Sequence, residues 1–230
     1  MRRNLTRLIL AMTLLALLTS ASVLAGTSVG SFEVDGNRAD DSGPGDLTLD
    51  WDSPPHGVTT FTDASGQTDD SFGQGSKEQE PGGWSCVDGG VPGKDNVVSG
   101  DIAFRVIQGK QYLYMNFRRA AANGDAHMDY EFNQSTEPNP ACPALPRRTA
   151  GDVVITFDTE NGGKNIVVRA FRWQGDAASG TFVELGLGAQ GVLWDGAVNI
   201  PNTIPGLEPG AFGEAALNVT DSPIGAIGCQ

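Results

Sequence analysis

Apolar and polar residues alternate along this chain in short, evenly spaced blocks. The clearest is 126–133, where Ala126, Met128, Tyr130 and Phe132 interleave with His127, Asp129, Glu131 and Asn133. A period of two puts the first set on one face of a strand and the second on the other. Blocks at 102–107 and 112–118 flank Gln108-Gly109-Lys110, a three-residue, glycine-containing connection that predicts a hairpin. Further strands are predicted at 153–158, 166–173, 181–187, 192–199 and 215–219, with turns marked by Asn123-Gly124 and Asn161-Gly162. Past residue 25 no window keeps a 3.6-residue period over a helical length. The pattern predicts an all-β fold, an antiparallel β-sandwich of jelly-roll type.

The opening of the chain follows a different rule. Arg2, Arg3 and Arg7 precede an unbroken apolar run from 8 to 12, broken only by Thr13 before residue 18, and Val23-Leu24-Ala25 follows. A basic head, a short apolar core and small exit residues predict a secretory signal peptide over 1–25. The run is too short for a bilayer span of about 20 residues, and no cysteine follows Ala25 to carry a lipid. The mature part, 26–230, is read as a single exported domain without a transmembrane segment. At 205 of the 230 residues it is long enough to bury roughly 70% of its unfolded surface unaided.

Charge then divides the domain. Twelve acids lie between Glu33 and Glu80, opposed only by Arg38 and Lys77. Residues 33–80 are therefore read as a long acidic loop region with one or two edge strands. Asp35, Asn37, Asp40, Asp41 and Asp46 place hard oxygen ligands in a glycine-rich stretch, and such ligands suit calcium. The EF-hand spacing is absent, and the alternative is a solvated acidic face. Calcium is the one cofactor predicted. The net charge is −13, and loss of the three arginines in 1–25 takes it to −16. So acidic a chain excludes nucleic acid as a partner and disfavours an anionic membrane surface.

Cys86, Cys142 and Cys229 are the only cysteines. Export permits a disulfide, and Cys86 with Cys142 is the predicted pair, since Cys229 stands next to the end.

Several other patterns were weighed for chemistry. Residues 186–191 spell a dinucleotide fingerprint, but a strand pattern follows where a helix is required. Residues 26–30 match a nucleophile elbow without a preceding strand. Asp129 and Glu131 share a strand face at a spacing open to glycosidases, yet they lack the Glu-x-Asp-x-x-Glu pattern of sandwich-fold glucanases. His56 and His127 are the only histidines; His127 shares that face and offers a lone general base, against the reading of an outward polar face. Trp84, Trp173, Trp194, Tyr112 and Tyr114 offer either a sugar-stacking platform or core. No catalytic residues are predicted.

The order of segments is also informative. Phe32-Glu33-Val34-Asp35-Gly36-Asn37, the acidic run to Asp50-Trp51, Trp84, and Val91-Pro92-Gly93-Lys94-Asp95-Asn96 come first. The stretch 112–119, then Asn123-Gly124-Asp125-Ala126 and 128–134, is the most distinctive; Gly151-Asp152, 168–173 and 210–220 follow. Together they resemble the N-terminal β-sandwich module of exported bacterial cell-surface proteins, which precedes stalk repeats and a wall-sorting tail. The resemblance implies a secreted or cell-surface binding module for an extracellular glycan or protein, and carries over no functional residues. Such modules run on past the point where this chain stops at Gln230, which predicts a truncated C-terminal end. The alternatives are a secreted carbohydrate-active enzyme using Asp129 and Glu131, and a wall component without ligand.

Overall fold

The computed structural model describes residues 27–41, 49–52, 57–63, 70–73, 85–88, 91–140, 142, 145–162, 165–176, 179–186 and 189–225. The signal peptide predicted over 1–25 lies outside them, as do Asp46, His56, Trp84 and Cys229.

Every regular element among the described residues is a strand. They are β1 (Thr27–Val29), β2 (Phe32–Val34), β3 (Thr59–Thr62), β4 (Asp70–Gly73), β5 (Ser85–Asp88), β6 (Val97–Ile107) and β7 (Lys110–Arg119). They continue with β8 (Ala126–Phe132), β9 (Val153–Glu160), β10 (Asn165–Gln174), β11 (Thr181–Glu184), β12 (Trp194–Val198) and β13 (Phe212–Asn218). No described helix is long and apolar enough to cross a membrane.

Two antiparallel sheets pack face to face. One is a meander in the order β11-β10-β9-β8; the other runs β12-β13-β7-β6-β3. Met115, Phe117, Trp194, Ala215 and Leu217 from the five-stranded sheet meet Met128, Phe132, Val153, Ile155, Phe157 and Ala170 from the four-stranded one. Phe117 sets its edge on Phe157 at 5.1 Å between ring centres. Each such large side chain contributes roughly 1.5–3 kcal/mol by leaving water. The alternation at 126–132 has its physical cause here: Met128 and Phe132 enter this core while His127, Asp129 and Glu131 face outward.

The hairpin after β6 is tighter than its spacing suggests. Gln108 and Gly109 alone make the loop, with φ of 51° and 79°. Two successive left-handed residues form the type I′ turn that matches strand twist.

The acidic region does more than decorate the surface. β1 and β2 pair as a hairpin and lie on the far face of the five-stranded sheet, with residues 49–52 returning beside β2. Val29, Phe32, Val34 and Trp51 from this segment pack on Ala103, Tyr114, Phe212 and Ala216, forming a second core. Phe32 stacks on Tyr114 at 4.6 Å and meets the Trp51 ring at 4.7 Å. With both faces covered, all seven residues of β13 are buried.

Part of the outer face of the four-stranded sheet lies beneath the segment after β8, in which Pro138 and Pro146 form a bridge and from which Arg148 reaches Glu131 and Trp173. A disulfide joins Cys86 of the β4–β5 hairpin to buried Cys142 in this segment, with Cα atoms 5.1 Å apart.

Candidate functional site

Four strands carry a polar row across the far face of the five-stranded sheet. Glu214 of β13 lies opposite Asn116 of β7, Asn116 opposite Asp101 of β6, and Asp101 opposite Thr60 of β3. Directly opposite residues in antiparallel strands share a face, so these side chains form a line. One end is buried and the other opens to solvent.

At the buried end Glu214 anchors the N-terminal segment. Its Oε1 accepts the N–H groups of Asp35 (2.8 Å) and Gly36 (2.6 Å), and its Oε2 accepts the Trp51 indole N–H (2.8 Å). Gly36 has φ +83°, and a Cβ there would stand 2.1 Å from the carbonyl oxygen of Val198. Only glycine brings the turn this close to the sheet.

Beyond Gly36 the chain folds on itself. Asp35 Oδ1 accepts the Asn37 N–H at 2.9 Å, and Asn37 Oδ1 accepts the Ala39 N–H at 2.6 Å. The Asp41 N–H reaches Glu33 Oε2 at 3.3 Å. The turn thereby draws carboxylate oxygens of Glu33, Asp35 and Asp41 within 4.8 Å of one another. Asp50, fully buried beside this segment, accepts the Trp51 N–H with one oxygen at 2.5 Å; its other oxygen has no hydrogen-bond partner among the described residues.

The electrostatics follow from that crowding. Burial, with repulsion from Asp35, Glu33 and Asp52, pushes the Asp50 carboxyl up to about 8. Burial and the charges of Asp35, Asp41 and Asp40 raise Glu33, and burial with Asp41 raises Asp35. Glu214 is also driven well above the ordinary range, by burial first and then by Asp50. A buried carboxylate oxygen without a donor is costly. A divalent cation would relieve the crowding of Glu33, Asp35 and Asp41, and an all-oxygen set of this kind suits a hard ion.

Of the residues predicted to hold calcium, the structure brings Asp35 and Asp41 together. Asn37 is turned back onto Asp35, its amide donating to Oδ2 at 2.5 Å. Asp40 is exposed and is not one of the converging trio, though its charge acts on Glu33. Asp46 lies outside the described residues. Asp50 and Asp52 stand in the same acid run as the predicted ligands, Glu33 opens that run without a ligand signal of its own, and Glu214 carries no local signal at all.

At its open end the polar row floors a pocket of about 490 Å³. Thr60, Ser99, Asp101 and Asn116 form the floor, Arg38 and Arg118 one side, and Ile204, Leu207 and Phe212 the apolar side. Asp101 is held by the Thr60 hydroxyl (2.6 Å), the Asn116 amide (3.0 Å) and the Arg38 guanidinium (3.3 Å). These bonds outweigh burial and lower its carboxyl below the usual range. Arg38 also pairs with Asp52 at 3.2 Å, so the turn of the acid cluster supplies a wall of the pocket.

The outer face of the four-stranded sheet holds the remaining candidates. Glu131 is gripped through both oxygens by Arg148, whose guanidinium lies 4.5 Å from the centre of the Phe182 ring and 5.1 Å from that of Trp173. A carboxylate so committed is poorly placed to carry a proton for glycoside hydrolysis. Asp129 instead faces His127 at 3.5 Å, and the other imidazole nitrogen meets Asp158. Arg118-Arg119 and Arg147-Arg148 are adjacent in sequence but point apart: Arg118 is exposed and Arg147 partly so, while Arg119 is buried on the carbonyls of Gly210 and Lys94 and Arg148 is buried on Glu131. Of the aromatic residues, Trp173, Trp194 and Tyr114 are buried and offer no exposed ring to a sugar, Tyr112 is half-buried, and Trp84 lies outside the described residues. Residues 186–191 are no cofactor loop either, for strand β12 follows them.

No family model matches this chain, and searches of curated proteins and of solved structures found no match.

Proposed function

We propose that this chain is an exported, calcium-requiring binding module without catalysis, of the cell-surface kind that its sequence resembles. Glu33, Asp35 and Asp41 would hold the ion, with Asp50 beside them. The reading is carried by one observation: the turn 35–39 places Asp35 in the carboxylate cluster and Arg38 in the pocket wall. An ion that fixes this turn therefore also fixes the shape of the pocket. The ligand belongs to the extracellular space, a glycan before a protein, because the pocket is small and polar-floored.

Thermal melting in chelator and in millimolar calcium tests the metal. At a hundredfold excess over the dissociation constant, calcium adds about 2.7 kcal/mol, a rise of roughly 5–10 °C for a domain of this size. The double variant Asp35→Asn, Asp41→Asn removes the response. A melting curve indifferent to calcium refutes the metal. A glycan array probed with the mature protein tests binding, and a blank array refutes the glycan reading.

A further inference from the structure

The pocket at the open end of the polar row has a chemistry that narrows its ligand. We propose that it takes a sugar unit bearing a carboxylate, held by Arg118 with Arg38 beside it. This rests on the binding-module reading and names the ligand class for the same site.

Volume comes first. About 490 Å³ lies within the roughly 300–1,000 Å³ typical of small-molecule sites. That is room for a sugar ring with its substituents.

Charge comes second. Asp101, the one acid in the lining, is already answered by Thr60, Asn116 and Arg38, so it does not repel an anion outright. Arg118 projects from β7 into the same cavity, opposite Ser99 on one side and Phe212 on the other. No described residue accepts a hydrogen bond from its guanidinium. The neighbouring Arg119, by contrast, is turned into the protein, where it donates to the carbonyls of Gly210 and Lys94. A guanidinium presents a planar fork that matches a carboxylate through two parallel bonds.

Shape comes third. Ser99 and Thr60 offer hydroxyls suited to the hydroxyls of a sugar, whereas Ile204, Leu207 and Phe212 present an apolar wall to the C–H face of a ring. A bare phosphate leaves that wall uncovered, and a neutral sugar leaves Arg118 without its anion. A carboxylated pyranose answers both.

The test uses the mature chain in millimolar calcium and a matched pair of probes, methyl glucuronide and methyl glucoside, which differ only in the carboxylate. Affinities are read by calorimetry or by chemical-shift titration. The glucuronide is expected to bind at least about tenfold more tightly, as a charge-assisted pair gives. Arg118→Gln is expected to abolish that difference while melting like the parent, since the side chain is exposed; Arg118→Lys retains part of it. Equal affinity for the two probes overturns the proposal, as does an Arg118→Gln variant that binds the glucuronide unchanged. So does an absence of glucuronide binding up to about 10 mM. A glycan that binds the parent and Arg118→Gln alike leaves the module a binder and removes this pocket. Repeating the titration in chelator separates failure of the metal reading from failure of the pocket.

Discussion

Removing the Arg148 guanidinium should be among the most damaging single changes outside the two cores. Arg148 is 1% exposed and Glu131 19% exposed, and both oxygens of the acid are used in the pair. Arg148→Met keeps the volume of the aliphatic stem, so little cavity is created. It strands the largely buried Glu131 carboxylate without its cation. Breaking a buried pair costs about 3–5 kcal/mol, and the partial access of water to Glu131 places this case near about 3 kcal/mol. Loss of the cation over Trp173 and Phe182 adds about 1 kcal/mol. The expected total is about 3–4 kcal/mol, read from urea denaturation followed by tryptophan fluorescence at neutral pH in constant calcium. Pairing it with Glu131→Met should recover about half of the loss or more, because two apolar groups leave no orphaned charge. A single variant that costs less than about 1 kcal/mol would mean that the pair acts like an exposed one, and the argument from burial would fall.

Three further outcomes are expected. Replacing Cys86 and Cys142 with serine opens a link spanning 56 positions and should cost about 2–4 kcal/mol; an unmoved melting temperature would refute this. Burial alone would hold the His127 imidazole down, but Asp129 and Asp158 outweigh it and raise its pKa. Its contribution is therefore complete below the unfolded value of about 6.5 and is lost as pH climbs through the raised folded value. His127→Gln should flatten that fall, and identical stability–pH slopes for the two proteins would contradict the assignment. Gln108→Asn, which suits the left-handed position in the β6–β7 turn, should add about 0.5–1 kcal/mol, with a lower urea midpoint as the refuting result.

Half-buried strands announce themselves, and doubly buried ones do not. The alternation of Met128, Tyr130 and Phe132 with His127, Asp129 and Glu131 marks β8 and its inward face from composition alone. β13 offers no such contrast: Phe212 and Ala216 enter one core, Ala215 and Leu217 the other, and Glu214 interrupts the series. The sandwich is legible for the first reason. Strand neighbours are not, because nothing local tells that β13 inserts between β12 and β7. The acidic segment misleads in the same way. Its many carboxylates read as solvated loop, yet spaced single aromatics, Phe32 and Trp51, are enough to bind it to the sheet. Asp35 and Asp41 are visible as ligand types. That Asp50 is buried, and that Glu214 holds the turn in place, depends on contacts made across most of the chain.

That last tether sets an order of assembly. The carboxylate that receives Asp35 lies 179 positions further along. The segment around Phe32 and Trp51 thus settles late, since its seat does not exist until β13 has zipped against β7. Until then both rings stay unseated, apolar surface open to aggregation.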